Sequence, residues 1–267
     1  MILSFKYSSL VIAFIGIFFG LSDARSQINE KELINYAYES TYKPEESGKI
    51  LITNANILTG QGDSILDASI LIDQNKIVAV GKDLDSSDAT VVDAEGKWVT
   101  PGIIDIHSHM GVYPAPSLRS NSDGNEATSP TTPHVWAEHS VWTQDPQYTL
   151  ALKGGITSFH VLVGSANLIG GRGVTLKNVR SRTVQGMKFP NAPYSLKMAC
   201  GENPKRVYGG RNSEPSTRMG NVAGYRDAWI EAEEYLRSLK EYAEKSDEDK
   251  EPSDRPSRDL GLETMIG

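Results

Sequence analysis

Apolar and polar positions along this chain change period several times, and each change marks an element. In residues 49–58, Ile and Leu stand among Thr and Asn, a strand pattern. Two short apolar runs, 68–72 and 76–80, flank Asp73-Gln74-Asn75 and predict a hairpin. Residues 90–93 and 97–100 predict two further short strands around Glu95-Gly96. Short strands crowded into this stretch predict a small β-sandwich.

From Pro101 the pattern changes. An apolar run, 103–106, leads into His107-Ser108-His109 and predicts a strand. Residues 112–147, rich in Pro, Ser, Asn and Thr, read as a long functional loop, with Trp136 and Trp142 suited to packing as a lid. Residues 148–153 read as the end of a short helix stopped by Gly154-Gly155. The near-continuous apolar run 156–163 predicts a parallel-type strand, and 173–179 a third. Residues 164–171 form a tight glycine loop without the spacing of a phosphate cradle. Residues 194–202 predict a further strand, ended by Pro204. Near Asn221 a helix begins, with Trp229, Ala232, Leu236, Leu239 and Ala243 on one stripe and i,i+4 charge pairs on the other side. Residues 245–258 are charged and read as a solvated linker, and 262–267 begin another helical pattern. Strands alternating with helices predict an α/β chain with a parallel sheet.

The chain has 267 residues and a net charge of −7. No basic stripe is present to neutralise phosphates, so nucleic acid is not an expected partner. At the N-terminus, Lys6 precedes an apolar run, 10–21, shorter than the roughly 20 residues that span a bilayer. Small residues follow near 22–26. This reads as an export signal over residues 1–26, implying a periplasmic or secreted protein without a stable membrane anchor. Residues 27–48 are expected to form an arm or short helix. Cys200 is the single cysteine, which rules out an internal disulfide and reads as a buried core thiol.

His107 and His109 carry the candidate chemistry. A strand has a side-chain period of two, so both rings point to one side. Two neutral imidazoles at a strand's C-terminal end suit a zinc-like divalent metal. An H-x-H pair is a short motif, and its surroundings decide its worth. His134 and His139 lie in the long loop and read as solvated. His160 lies in mid-strand and reads as a core histidine with its hydrogen bonds met.

The arrangement Val99-Thr100-Pro101-Gly102, apolar strand, His107-Ser108-His109, Met110-Gly111 resembles the amidohydrolase superfamily, in particular its imidazolonepropionase-like and dipeptidase-like members. The resemblance implies a small β-domain over residues 49–100. It further implies a partial (β/α) TIM-type barrel of about four βα units over 101–267, where a full barrel has about eight. It implies a divalent metal, zinc foremost, held by His107 and His109. The bridging ligand implied is a glutamate or a carboxylated lysine. Glu202, at a strand end, is the preferred match, with Lys197 the alternative. The implied reaction is hydrolysis of a C–N bond in a small amide, cyclic amide or dipeptide-like substrate. The basic pair Lys205-Arg206 is a candidate for attracting a substrate carboxylate or is simply surface charge.

The family's remaining metal-binding histidines and its catalytic aspartate come from later strands, and no histidine follows His160 here. The chain is therefore expected to resemble the N-terminal half of such an enzyme, a fragment inactive alone. Its partners would be a separately encoded C-terminal half or further copies of itself. A rival expectation is a non-catalytic exported interaction protein that keeps half of the fold.

Overall fold

A computed structural model describes residues 37–85, 87–246 and 248–267. The expected export signal and the first part of the arm lie outside the described residues. Among the described residues, no helix is long and apolar enough to cross a membrane.

Residues 50–99 form one sheet. Strands β1 (Ile50–Leu58), β2 (Ser64–Asp73), β3 (Lys76–Gly81), β4 (Thr90–Asp93) and β5 (Trp98–Val99) are ordered β3-β2-β1-β4, with β5 also paired to β1. The hairpin read from the sequence is present. Asp73 pairs with Lys76, and the two residues between, Gln74 and Asn75, both take positive φ (47° and 63°). Such a loop matches the right-handed twist of the flanking strands. A small core of Ala55, Ile57, Ala68, Ile70 and Ala94 lies on one face. The expected sandwich is corrected to a single sheet, with no second layer among the described residues. Its strands pair edge to edge, β1 with β4 in parallel, instead of stacking as two layers.

The second sheet holds the site. Its order is β6 (Ile103–Ser108), β7 (Ile156–Val161), β8 (Ile169–Lys177) and β9 (Ser195–Met198). Between β6 and β7 come the long loop and helix α1 (Gln147–Lys153), capped by Gly154 and followed by Gly155 at φ 89°. That crossover makes β6 and β7 parallel. The expected run of parallel strands stops there. β8 is antiparallel to both β7 and β9. The connection from β7 to β8 spans only residues 162–168, too short for a crossover helix, so the chain turns back as a hairpin. β9 then runs in the direction of β6 and β7, and the C-terminal ends of these three strands share one edge.

On one face of this sheet Phe159, Val161, Val174 and Leu176 pack with Val112, Ala137, Tyr148 and Met187. The opposite face carries His160, Thr175 and Ser195. The long loop is not a lid. Val112, Thr132, Ala137, Glu138 and Asp145 are buried, and Thr131 and Trp136 bridge to Ile169 and Arg172 of β8. The loop therefore forms a layer over the apolar face. Val112, Ala137 and Val141 supply the apolar surface for that packing and Trp136 stacks against Arg172, while Trp142 is exposed.

A buried ionic cluster fixes this layer. Glu138, with a fully buried side chain, accepts from Lys188 Nζ at 2.8 Å and from Tyr194 Oη at 2.7 Å. Lys188 also donates to the Tyr38 carbonyl, and Ser40 donates to the Lys188 carbonyl. The arm's described residues are thus an extended strap and not a helix. Burial, followed by the hydrogen bond to Glu138, drives the Tyr194 phenol far above its ordinary value.

Helix α2 (Glu202–Gly209) begins where the sequence reading continued a strand, and it takes Pro204 as its third residue. The first turn of a helix tolerates proline because its N–H has no intrahelical partner. Helix α3 (Arg218–Glu244) is capped by Thr217, and α4 (Leu260–Ile266) by Asp259. Ala228, Ala232 and Met265 of these helices cover Leu168 and Ile169. Trp229, expected on the buried stripe, is 39% exposed, because the packed face is centred on the two alanines. Cys200 is exposed, in the turn before α2, and not a core thiol.

Removing the carboxylate of Glu138 would leave Lys188 buried without its counter-charge. Glu138→Ala is expected to lower stability by about 3–5 kcal/mol in urea unfolding, with a smaller loss for Glu138→Gln. Wild-type stability in Glu138→Ala would show that the cluster does not hold the loop.

Candidate metal centre

β6 ends at Ser108, and both histidines stand at that end. Their rings meet edge to face, with centroids 5.3 Å apart at 84°. The expected side-by-side placement is what the structure shows. Each ring is held by a different device. His109 Nδ1 lies 2.8 Å from the Leu162 carbonyl, just beyond the end of β7. A carbonyl only accepts, so Nδ1 carries the proton and Nε2 keeps its lone pair. Backbone N–H of His107 donates to Asp105 Oδ1 at 3.1 Å, bracing the strand end.

Lys197 of β9 reaches this pair. Its Nζ lies 3.2 Å from His107 Nε2. An ammonium donates, so Nε2 of His107 is the unprotonated nitrogen there. The lysine charge, then burial, hold His107 below its ordinary value, and burial holds Lys197 below its own. These two shifts have one sense: the site prefers a neutral His107 and eases loss of the lysine proton.

His160 sits behind the pair. Its Nε2 is 2.6 Å from Ser195 Oγ and its Nδ1 is 2.9 Å from Thr175 Oγ1. Both ring nitrogens are satisfied, as read from the sequence. Burial, and then the nearby His107, hold it below the ordinary histidine value. A Cβ on Gly173 would press on both the ring and Ser195, so β8 keeps this space open with glycine.

Glu202 is not part of this cluster. It is the first residue of α2, exposed, and it pairs with Arg206 at 3.2 Å one turn on. β9 stops at Met198, so Glu202 lies beyond the strand end instead of at it. Arg206 is accordingly engaged with Glu202. His134 and His139 are exposed, with His139 stacked on Trp136. Among the described residues, no group of three His, Cys, Asp or Glu side chains could hold a metal. The donor set at this strand end is two imidazoles and one lysine. Two neutral imidazoles on one side suit a divalent cation, and a lysine fits beside them only in a form that has lost its positive charge.

One contributor had no signal in the sequence reading. Tyr113, from the start of the long loop, stands edge-on to His109 with ring centroids 5.7 Å apart. It stands four residues after His109, a helical spacing, but in a stretch that reads as loop, where that spacing predicts no contact.

No protein-family model matches the chain. It is 36% identical over 225 residues to amidohydrolase tasK of Hapsidospora irregularis, covering 74% of this chain and 23% of that protein. It is 32% identical over 121 residues to a 5-methylthioadenosine/S-adenosylhomocysteine deaminase of Thermococcus onnurineus, 41% of this chain and 27% of that one. Among solved structures, an amidohydrolase from Thermotoga maritima superposes with a TM-score of 0.72 at 39% identity, over 80% of this chain and 54% of that chain. The chain spans about a quarter of the length of these two curated relatives and about half of the solved one.

The depressed His160 value sets an acid dependence. Below the unfolded histidine value of about 6.5, the unfolded chain binds a proton that the folded chain resists. Stability from this group is fully present above that pH and falls as pH drops towards the folded value. His160→Gln is expected to flatten this part of the profile, read as melting midpoints of both proteins between pH 5 and 8. Parallel profiles would remove His160 from the account.

Proposed function

We propose, for a chain that belongs to the amidohydrolase superfamily over the residues its relatives match, that it carries part of the divalent-metal centre of a hydrolase acting on carbon–nitrogen bonds. The substrate class is a small amide, cyclic amide or dipeptide-like molecule, and zinc is the foremost metal. The observation that carries the reading is the meeting of His107, His109 and Lys197 at one strand edge. The relatives' names, an amidohydrolase and a deaminase, support the bond class.

His107 and His109 offer their Nε2 lone pairs. Lys197, preferred here over Glu202, would join them as a ligand after carboxylation. Its neutral amine attacks carbon dioxide, forming a C–N bond and releasing a proton, and the product is a carbamate. That step turns a cation that would repel a metal into an anion that binds one. The burial that lowers the lysine's proton affinity eases it. A divalent metal supplies Lewis acidity towards an amide carbonyl. The Leu162 carbonyl fixes the His109 tautomer, a role that outer-shell partners of metal ligands commonly take.

Hydrolysis needs more ligands and a proton-shuttling carboxylate. Among the described residues none joins the cluster. We therefore propose that this chain alone is inactive and completes its site with a C-terminal half or another copy. The exposed Ile103, Ile104 and Ile106 of β6, an outer strand of its sheet, support pairing there. Export to the periplasm or outside the cell is part of the same reading, supported by Lys6 ahead of the apolar run 10–21.

The test is metal retention by the purified chain, supplied with zinc and labelled bicarbonate. His107→Ala and His109→Ala are expected to lose the metal, and Lys197→Arg to lose both metal and the carbon label. Glu202→Ala is expected to keep both. Metal lost with Glu202→Ala but kept with Lys197→Arg would reverse the assignment of the bridging ligand. Chelator-sensitive hydrolysis of a small amide by this chain without a partner would overturn its incompleteness.

A further inference from the structure

We infer that Tyr113 is a positioning residue for His109, fixing the ring whose Nε2 faces the proposed metal. The inference rests on the metal-centre reading for its purpose, but its geometry stands apart from it. Tyr113 is set close to His109 by the backbone, since its N–H donates to the His109 carbonyl at 3.0 Å. The two rings then cross at 82°, with the edge of one against the face of the other. Such pairs are favourable in this orientation. His109 is thus bounded on three sides: by His107, by the Leu162 carbonyl and by Tyr113.

The tyrosine is itself held in place. Its hydroxyl donates to Asn125 Oδ1 at 2.8 Å, and Asn125 Nδ2 donates to Asn167 Oδ1 at 3.2 Å. Asn167 is 1% exposed, and its amide donates to the Glu126 and Ser129 carbonyls and to Thr132 Oγ1. Two glycines make the slot. A Cβ at Gly124 would collide with the Tyr113 ring, and one at Gly164 with its hydroxyl and with Asn125. Those glycines are joined by a 2.7 Å hydrogen bond from Gly164 N–H to the Gly124 carbonyl. Gly164 lies two residues past Leu162, whose carbonyl accepts the hydrogen bond from His109 Nδ1–H. One short segment after β7 therefore sets both the tautomer of His109 and the slot for the ring that braces it. A surface tyrosine without a task would need neither glycine nor a buried asparagine chain.

The test reads His109 directly. Long-range proton–nitrogen spectra of the metal-free full chain report which ring nitrogen of each histidine carries the proton. Wild type and Tyr113→Phe, which keeps the ring, are expected to show His109 protonated at Nδ1 alone. Tyr113→Ala is expected to show mixed tautomers and broadened His109 signals. Zinc affinity is expected to fall about 10-fold in Tyr113→Ala, in the range seen for loss of an outer-shell partner, and to stay within about 3-fold in Tyr113→Phe. Tyr113→Leu, which keeps an apolar side chain in the slot but removes the aromatic ring, is expected to broaden the same signals less. It keeps the question open to test should Tyr113→Ala fail to fold. A single unbroadened Nδ1-protonated His109 in Tyr113→Ala, or in Tyr113→Leu if only that variant folds, overturns the inference. Should the tautomers shift while wild type binds no zinc, the positioning role stands and the metal-centre reading falls.

Discussion

The curl of the second sheet is the constraint on which the site depends. β6 and β9 are its outer strands, with β7 and β8 between them. Three inter-strand steps of roughly 4.8 Å would put them roughly 14 Å apart in a flat sheet. Yet Lys197 of β9 stands 3.2 Å from His107 of β6. Long side chains close part of that gap, and the bending of the sheet closes the rest. Strand twist favours such bending, and an apolar layer packed outside the curve maintains it. That layer is the long loop, bolted down by the buried Glu138–Lys188 pair. The ionic cluster on the outside and the histidine pair on the inside are thus two ends of one mechanical arrangement.

β8 shows what the curve demands of composition. Its run Gly170-Gly171-Arg172-Gly173 removes side chains where the chain crosses between two strands of opposite direction. Gly171 has φ 118° and approaches the Val135 carbonyl too closely for a Cβ. Gly173 leaves room for His160 and Ser195 on the inner face. Arg172 between them turns outward, 7% exposed, with its guanidinium 5.0 Å from the Trp136 ring. Gly173 inside and Arg172 outside bias the sheet to bend one way.

The histidine pair was legible because it needs only a local rule, the two-residue period of a strand. The hairpin at Gln74-Asn75 was legible for the same reason, since turn residues name their own turn. The choice between Glu202 and Lys197 was not, because it depends on where β9 stops. Asn203-Pro204 looks like a strand terminator, but proline is equally at home in a helix's first turn, and α2 uses it there. Once Glu202 belongs to that helix it finds Arg206 one turn along. The direction of β8 was hidden likewise. An apolar run does not state its polarity. Only the shortness of the 162–168 connection does, and it was read there as a loop between parallel strands. The sandwich was overread because strand density does not distinguish one sheet from two.

The long loop exposes a different blind spot. Proline- and serine-rich composition suggests mobility, and tryptophans in such a stretch suggest a cover over a cavity. The structure uses both for packing. Trp136 is held between Arg172 and Tyr194, and Asp145 accepts from the backbone N–H groups of Gly111, Ala115 and Gln147. Asp145 and Gly111 therefore tie the far end of the loop to its beginning, directly after the histidine pair. A loop closed on itself in this way hands a fixed geometry to Tyr113. The backbone bond from Tyr113 N–H to the His109 carbonyl is local, but the slot that orients the ring is made by tertiary closure with Gly124, Asn125, Gly164 and Asn167, which no short window of sequence carries.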